Sequence, residues 1–298
     1  MKTVRRILHT PVARIIIGFV FCLALNIILQ NILSKGLDYT SLSHPVRIVI
    51  KSIIFCILFV AGYIRFYTWY EKRSVTEYLT GGITRYIFTG LLLGSLLQAL
   101  TIFIIYLNNG FHIISINPWT RVLPFIFSGL AVAIVEETFL RGIIFRITEE
   151  KLGSYWSLVL SSLIFGALHL INPHSSIATV FSTAIIGGFL MGAAYIYSRS
   201  LWFSIAIHFA WNFTQSGIFG AVTSGQDPQE SLLSSTITGN RLITGGAFGP
   251  EGSVQAILFC LIASIIFMVM SHRQNKIIAP YWSRQNDIRH LVASSINQ

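Results

Sequence analysis

Apolar residues run along this chain in long unbroken stretches, separated by short polar segments. Eight stretches come close to the roughly 20 residues an α-helix needs to cross a hydrocarbon core. They fall at about 13–34, 46–67, 86–107, 121–147, 155–172, 176–198, 201–219 and 253–271. Because they are continuous and do not alternate over about ten residues, they predict helices and not barrel strands. The expected fold class is all-α: a polytopic transmembrane helix bundle of about eight spans. The fourth stretch is longer than a bilayer is thick at about 1.5 Å per residue, so one end must project or tilt.

This pattern divides the chain into N-terminal transmembrane helices (1–118), closely connected core spans (119–219), and a long loop, last span and basic C-terminal tail (220–298). The loop, about 220–252, is rich in Gly, Ser and Thr and ends in Gly249-Pro250-Glu251-Gly252. It reads as an extramembrane loop, flexible or packed, with substrate gating as the sharper alternative.

Composition strengthens the membrane reading. The 298 residues are 53% hydrophobic and 11% charged, with mean hydropathy +0.68, whereas soluble domains run near 25% charged. The net charge of +10 raises nucleic acid as a partner. However, the basic residues sit between apolar runs and at the ends, the pattern of topology signals and anionic-lipid contacts, so no nucleic-acid partner is expected. With eight spans and the N-terminus inside, 16 of the 21 Lys and Arg fall on the cytoplasmic side, including Lys2, Arg5, Arg6, Arg73, Arg146, Arg199 and Arg289. Only Lys35, Arg47, Lys51, Arg121 and Arg241 fall on the other side. Both termini are therefore expected in the cytoplasm. The first apolar run lacks a small-x-small cleavage site and reads as a retained span. Cys22, Cys56 and Cys260 lie inside apolar runs without paired spacing and read as core residues. Ala184, Gly188 and Gly192, at four-residue spacing, make a small-residue face that lets helices approach, within the chain or between copies. The oligomeric state stays open.

Against this apolar background, ionisable residues inside spans cost several kcal/mol each and call for a reason. Glu136 and Glu137 are adjacent in the fourth span and Arg141 follows. Glu137 and Arg141 are four residues apart, acid first, the favoured order for a helical ion pair. Glu136 points about 100° away and is left available. The fifth span carries Phe165-Gly-Ala-Leu-His169 and the seventh His208-Phe-Ala-Trp-Asn212, each placing two groups on one helical face. At about 1.5 Å per residue from the cytoplasmic ends, Glu136 and Asn212 come out near 15 Å and His208 near 9 Å. His169 comes out near 22 Å and fits the common level least well.

A carboxylate and an imidazole can together deprotonate a water. An imidazole N–H and an asparagine amide can donate to the oxyanion of a tetrahedral intermediate. These are the parts of peptide hydrolysis without a covalent nucleophile. The same groups could hold a metal, since His and Glu are common zinc ligands. In that version Glu136, His169 and His208 would be the ligands. No His-Glu-x-x-His helix and no Gly-x-Ser-x-Gly motif is present. A proton relay in a coupled transporter would also use such groups, but no internal repeat or broken helix points to that fold.

The three segments in order, Glu136-Glu137-Thr-Phe-Leu-Arg141, Phe165-x-x-x-His169 and His208-x-x-x-Asn212, resemble the motifs of the CPBP family. This family comprises CAAX-type prenyl-protein endopeptidases and bacterial bacteriocin-processing or immunity proteins. The resemblance covers roughly 120–213. It implies an intramembrane endopeptidase in which Glu136 and His169 activate water, while His208 and Asn212 stabilise the oxyanion. Glu137, Arg141 and Phe165 would support the site. Members are described both as metalloproteases and as metal-independent glutamate proteases. The metal-free version is preferred here, so no cofactor is expected, with zinc as the alternative. The implied partners are the lipid bilayer and a membrane-associated peptide or protein substrate, and the implied location is a bacterial cell membrane. A non-proteolytic immunity or scaffold protein on the same fold is the alternative function.

Overall fold

The computed structural model describes residues 7–78, 81–228 and 231–285. Among the basic residues behind the expected orientation, Lys2, Arg5, Arg6 and Arg289 lie outside the described residues, as does the tail beyond residue 285.

Three long helices come first: α1 (Pro11–Asp38), α2 (His44–Tyr70) and α3 (Ile83–Leu107). α1 and α2 each begin on a Ser or Thr followed by Pro in the first turn, where the missing N–H costs nothing. A strand, β1 (Phe111–Ile116), and a 3₁₀ turn (Trp119–Val122) lead into α4 (Leu123–Glu137). α4 runs without interruption through a π-helical segment, Thr138–Phe145, into α5 (Arg146–Leu168). Gly153 breaks this rod with a φ of 75°. A Cβ there would stand 2.7 Å from the Ile278 carbonyl oxygen, so the turn needs glycine. The break divides the over-long fourth span from the fifth.

The chain returns through α6 (Ile177–Thr183), a π segment (Ala184–Phe189) and α7 (Leu190–Ser198), then through α8 (Leu201–Asn212) and a third π segment (Phe213–Ile218). β2 (Leu233–Ile237), a short α9 (Arg241–Thr244) and α10 (Val254–Arg273) follow. Among the described residues, six helices are long and apolar enough to cross a membrane, counting 119–171 as one. Splitting that one at Gly153 and adding the rod from Leu201 to Ile218 accounts for the eight expected apolar stretches. The bundle is all-α apart from β1 and β2, which pair antiparallel. The rods that carry the site pass into π turns, a local feature that the apolar runs do not reveal.

Close packing, and not apolar burial, draws helices together in lipid. Two glycine faces supply it. In α3, a Cβ on Gly94 would lie 2.3 Å from the Ile207 carbonyl oxygen, and one on Gly90 would lie 2.7 Å from the Ala206 Cβ. The backbones of α3 and α8 therefore touch. A Cβ on Gly188 would lie 2.6 Å from the Ser162 Cα, and one on Gly192 would lie 2.4 Å from a Leu158 methyl. The small-residue face noted in the sequence thus packs within the chain, against α5. Large apolar side chains such as Val20, Ile27, Ile57, Ile262 and Ile265 remain exposed on α1, α2 and α10, as lipid-facing residues should.

Charges gather at the end of the bundle where α1 begins. Glu71, just after α2, lies 2.9 Å from Arg14, 2.8 Å from Arg73 and 3.0 Å from Arg146. Burial would raise its carboxyl pKa, but the guanidinium groups of Arg14 and Arg146 outweigh that and hold it at about 2. Glu77 is held below the usual range in the same way, its burial outweighed by Arg73 at 2.6 Å. This clamp ties α1, α2 and α5 together, away from the end that carries the sheet.

Candidate active site

Glu136 and Glu137 close α4, and the 100° step between them separates their environments. The Glu137 side chain is fully buried, whereas that of Glu136 is 34% exposed. Oε1 of Glu137 accepts from Arg141 Nη1 at 2.9 Å and from His208 Nδ1 at 3.0 Å. Arg141, also fully buried, donates its other terminal nitrogen to the carbonyls of Gly187 (2.5 Å) and Gly188 (2.7 Å). Both carbonyls belong to a π segment, where widened turns release backbone acceptors. The anticipated pair is thus a brace tying α4, α8 and the Ala184–Phe189 turn together.

The brace also orients His208. A carboxylate can only accept, so Nδ1 of His208 carries the proton and Nε2 faces the other way. Nε2 stands 3.8 Å from Oε2 of Glu136. His169 is oriented by the same logic: its Nδ1 lies 2.9 Å from the Phe165 carbonyl oxygen, also acceptor-only. In the neutral ring this leaves the lone pair on Nε2. Phe165 separates the two imidazoles, with ring centres 4.6 Å from His169 and 6.2 Å from His208, and Arg141 lies 5.5 Å over its face.

Glu136, Phe165, His169, His208 and Asn212 all line one cavity of about 450 Å³. His169, the residue whose depth fitted least well, sits at the end of α5, in a 3₁₀ turn (His169–Ile171). It nonetheless lines the same cavity as Glu136, together with the loop residues Ser224 and Glu251. A second and larger space of about 1030 Å³ runs between α1, α2 and α4 and shares Phe125, Ser128, Val132 and Glu136 with the first.

As for a metal, no group of three His, Cys, Asp or Glu among the described residues is placed to hold an ion. Glu136, His169 and His208 share the cavity without converging as ligands, and the donor set does not fit a three-ligand centre.

Sequence reasoning missed Glu251. It lies in a 3₁₀ turn (Pro250–Gly252) two residues before the Ser253 cap of α10, is 6% exposed and lines the same cavity. The long loop is packed, not free. At Gly225 a Cβ would stand 1.9 Å from the Pro173 carbonyl oxygen, and its N–H donates to the Phe248 carbonyl at 2.9 Å.

A family model described as "Type II CAAX prenyl endopeptidase Rce1-like" matches residues 118–214, about a third of the chain and the part that contains both glutamates, both histidines and Asn212. No curated protein and no solved structure matches the chain. The segment that carries the site thus matches the CAAX-type prenyl endopeptidase family, and it is set in a bundle of apolar, membrane-length helices that fits an integral membrane protein.

Proposed function

We propose that the protein is an intramembrane endopeptidase that hydrolyses a peptide bond in a membrane-proximal peptide or protein by direct attack of water. The observation that carries this reading is the shared cavity. There a half-buried Glu136 stands 3.8 Å from His208 Nε2, and the Nε2 of His169 is left without its proton by the Phe165 carbonyl.

In this mechanism Glu136, with His169 orienting the water, takes a proton as the water oxygen bonds to the scissile carbonyl carbon. The electron pair of the C=O bond moves to oxygen. Asn212 and His208 donate to that oxyanion. Because Nδ1–H of His208 is committed to Glu137, donation from Nε2 requires the imidazolium form, and the Glu137 carboxylate compensates its charge. Collapse of the intermediate breaks the C–N bond, and the proton held by Glu136 passes to the leaving amine. The chemistry is complete without a metal, and the donor geometry favours that version over zinc. The apolar space between α1, α2 and α4 opens onto Glu136 and would take the part of the substrate that lies in the bilayer.

The location follows from the same reading: a bacterial cell membrane with both termini cytoplasmic. The test compares membrane peptides, by mass spectrometry, from cells with the wild-type chain and with Glu136→Ala. Loss of specific products, with the variant still inserted and folded, is expected. Unchanged products would overturn the reading in favour of an immunity or scaffold role.

A further inference from the structure

We infer that Glu251 forms a subsite for a positively charged nitrogen of the substrate, making it a specificity-determining residue outside the three motifs. The inference rests on the protease reading for its substrate, and on the cavity wall for its chemistry.

Part of the cavity wall comes from the 220–252 loop, including Ser224, Asp227 and Glu251. Oε1 of Glu251 is buried and has no hydrogen-bond partner among the described residues. A buried carboxyl oxygen left without a donor is costly unless something fills the place. No ion pair within 4.0 Å joins Glu251 to either histidine among the described residues, although all three line the same cavity. The acid and the imidazoles therefore line one space without being paired to each other, and a substrate chain in that space would meet both.

Charge points the same way. The protein carries 21 Lys and Arg against 11 Asp and Glu. Yet the residues lining this cavity include three carboxylates, Glu136, Asp227 and Glu251, and no lysine or arginine. An acidic recess without lysine or arginine in a strongly basic protein attracts and selects cations. Burial raises the Glu251 carboxyl above its usual range, and an entering ammonium or guanidinium would offset that. The loop holds the acid rigidly. Gly249, at φ 108°, packs so closely that a Cβ would stand 2.2 Å from the Val222 carbonyl oxygen, and that oxygen accepts from Gln215 Nε2 at 2.6 Å. Glu251 therefore sits two residues from a fixed contact with the π turn that follows Asn212.

The nitrogen could be a Lys or Arg side chain or a free N-terminus, and the test separates these. Purified full-length protein in detergent is given a pool of synthetic peptides carrying Lys, norleucine or Glu at each position in turn. Each peptide is supplied with a free and with an acetylated N-terminus. Cleavage is read by mass spectrometry, and binding is measured in parallel. The wild type is expected to prefer Lys over norleucine at one position, or the free over the acetylated terminus. Glu251→Gln should shrink that ratio by about 10- to 100-fold, the scale of a hydrogen bond to a charged group. Glu251→Lys should shift the preference towards Glu. A ratio unchanged in Glu251→Gln overturns the inference, whether or not the absolute rate falls. If the wild type cleaves no peptide, the protease reading fails on its own. The binding ratio then still decides the subsite.

Discussion

Nδ1 of His208 and Oε1 of Glu137 stand 3.0 Å apart in the core, and this contact determines which end of the imidazole faces the cavity. Glu137 is thereby more than the partner of Arg141. It fixes a ring on a different helix and leaves Nε2 towards Glu136.

The two ends of His208 can be separated by substitution. The amide nitrogen of Gln superposes on Nε2, and that of Asn superposes on Nδ1. His208→Gln should therefore keep a donor towards the oxyanion and lose the Glu137 contact, while His208→Asn does the reverse. We expect activity to fall in both, by about 10²- to 10³-fold in Asn, the scale of a lost oxyanion donor, and by less in Gln. Thermal stability should fall more in Gln than in Asn. The same order in both measurements would contradict the assignment of the two nitrogens.

Glu137→Gln and Glu136→Gln should diverge despite being neighbours. Glu137→Gln leaves Arg141 buried without its carboxylate, a type of change that costs about 3–5 kcal/mol. The Glu136 side chain is a third exposed to the cavity, and its substitution should change stability by less than about 1 kcal/mol. Activity should drop by about 10²- to 10⁴-fold in Glu136→Gln, as expected for loss of a general base. Melting curves with cleavage assays check both, and a Glu136→Gln protein that melts as early as Glu137→Gln would argue against this division.

This division of the two glutamates was legible in the sequence because it needs only the pitch of one helix and the i, i+4 position of Arg141. Pairing of Glu137 with His208 was not, because 71 residues separate them and only the crossing of α4 and α8 brings them together. Glu251 was hidden for the same reason: nothing local tells a glutamate in a Gly-rich loop that it will be buried. The strand Phe111–Ile116 is six residues long, and its partner is over a hundred residues away, so neither half is a strong signal alone. The Gly188 and Gly192 face was legible as a packing surface, but its partner was not. Spacing shows that helices can approach and does not show which one will.

That partner supplies a second stability test. A Cβ on Gly188 would stand 2.6 Å from the Ser162 Cα, a backbone atom that cannot swing aside. Gly188→Ala should therefore force α5 away from the Ala184–Phe189 turn and loosen the Arg141 brace, costing about 1–3 kcal/mol. Gly36→Ala, at a position where a Cβ meets nothing within 4 Å, should be neutral or stabilising by about 0.5–1 kcal/mol through better helix propensity. Equal melting temperatures for the two variants would refute the tight crossing.

The reaction itself should not depend on a bound metal. Glu136, His169 and His208 do not converge as ligands, and no other group of three donors among the described residues does. Cleavage by the purified protein is expected to persist after exhaustive chelation and dialysis against metal-free buffer. Loss of activity that zinc restores would show that the donors rearrange in the working enzyme.

The charge clamp at the far end from the sheet predicts how the fold responds to acid. Glu71 is held at about 2 against an ordinary 4.5, because Arg14 and Arg146 outweigh its burial. Since the folded value lies below the unfolded one, its contribution to stability is complete above about 4.5 and is lost as pH falls towards 2. Glu71→Gln removes that contribution at all pH values. The variant should melt earlier than wild type at pH 7, with the gap narrowing as both are taken from pH 5 to pH 2.5. Glu77, held low by Arg73 in the same clamp, keeps part of the acid response in the variant, so the gap narrows without the curve becoming flat. Melting temperatures at four or five pH values in a non-ionic detergent measure this. A gap that stays constant across the window would mean that Glu71 acts through packing alone and that its ion pairs with Arg14 and Arg146 do not contribute in solution.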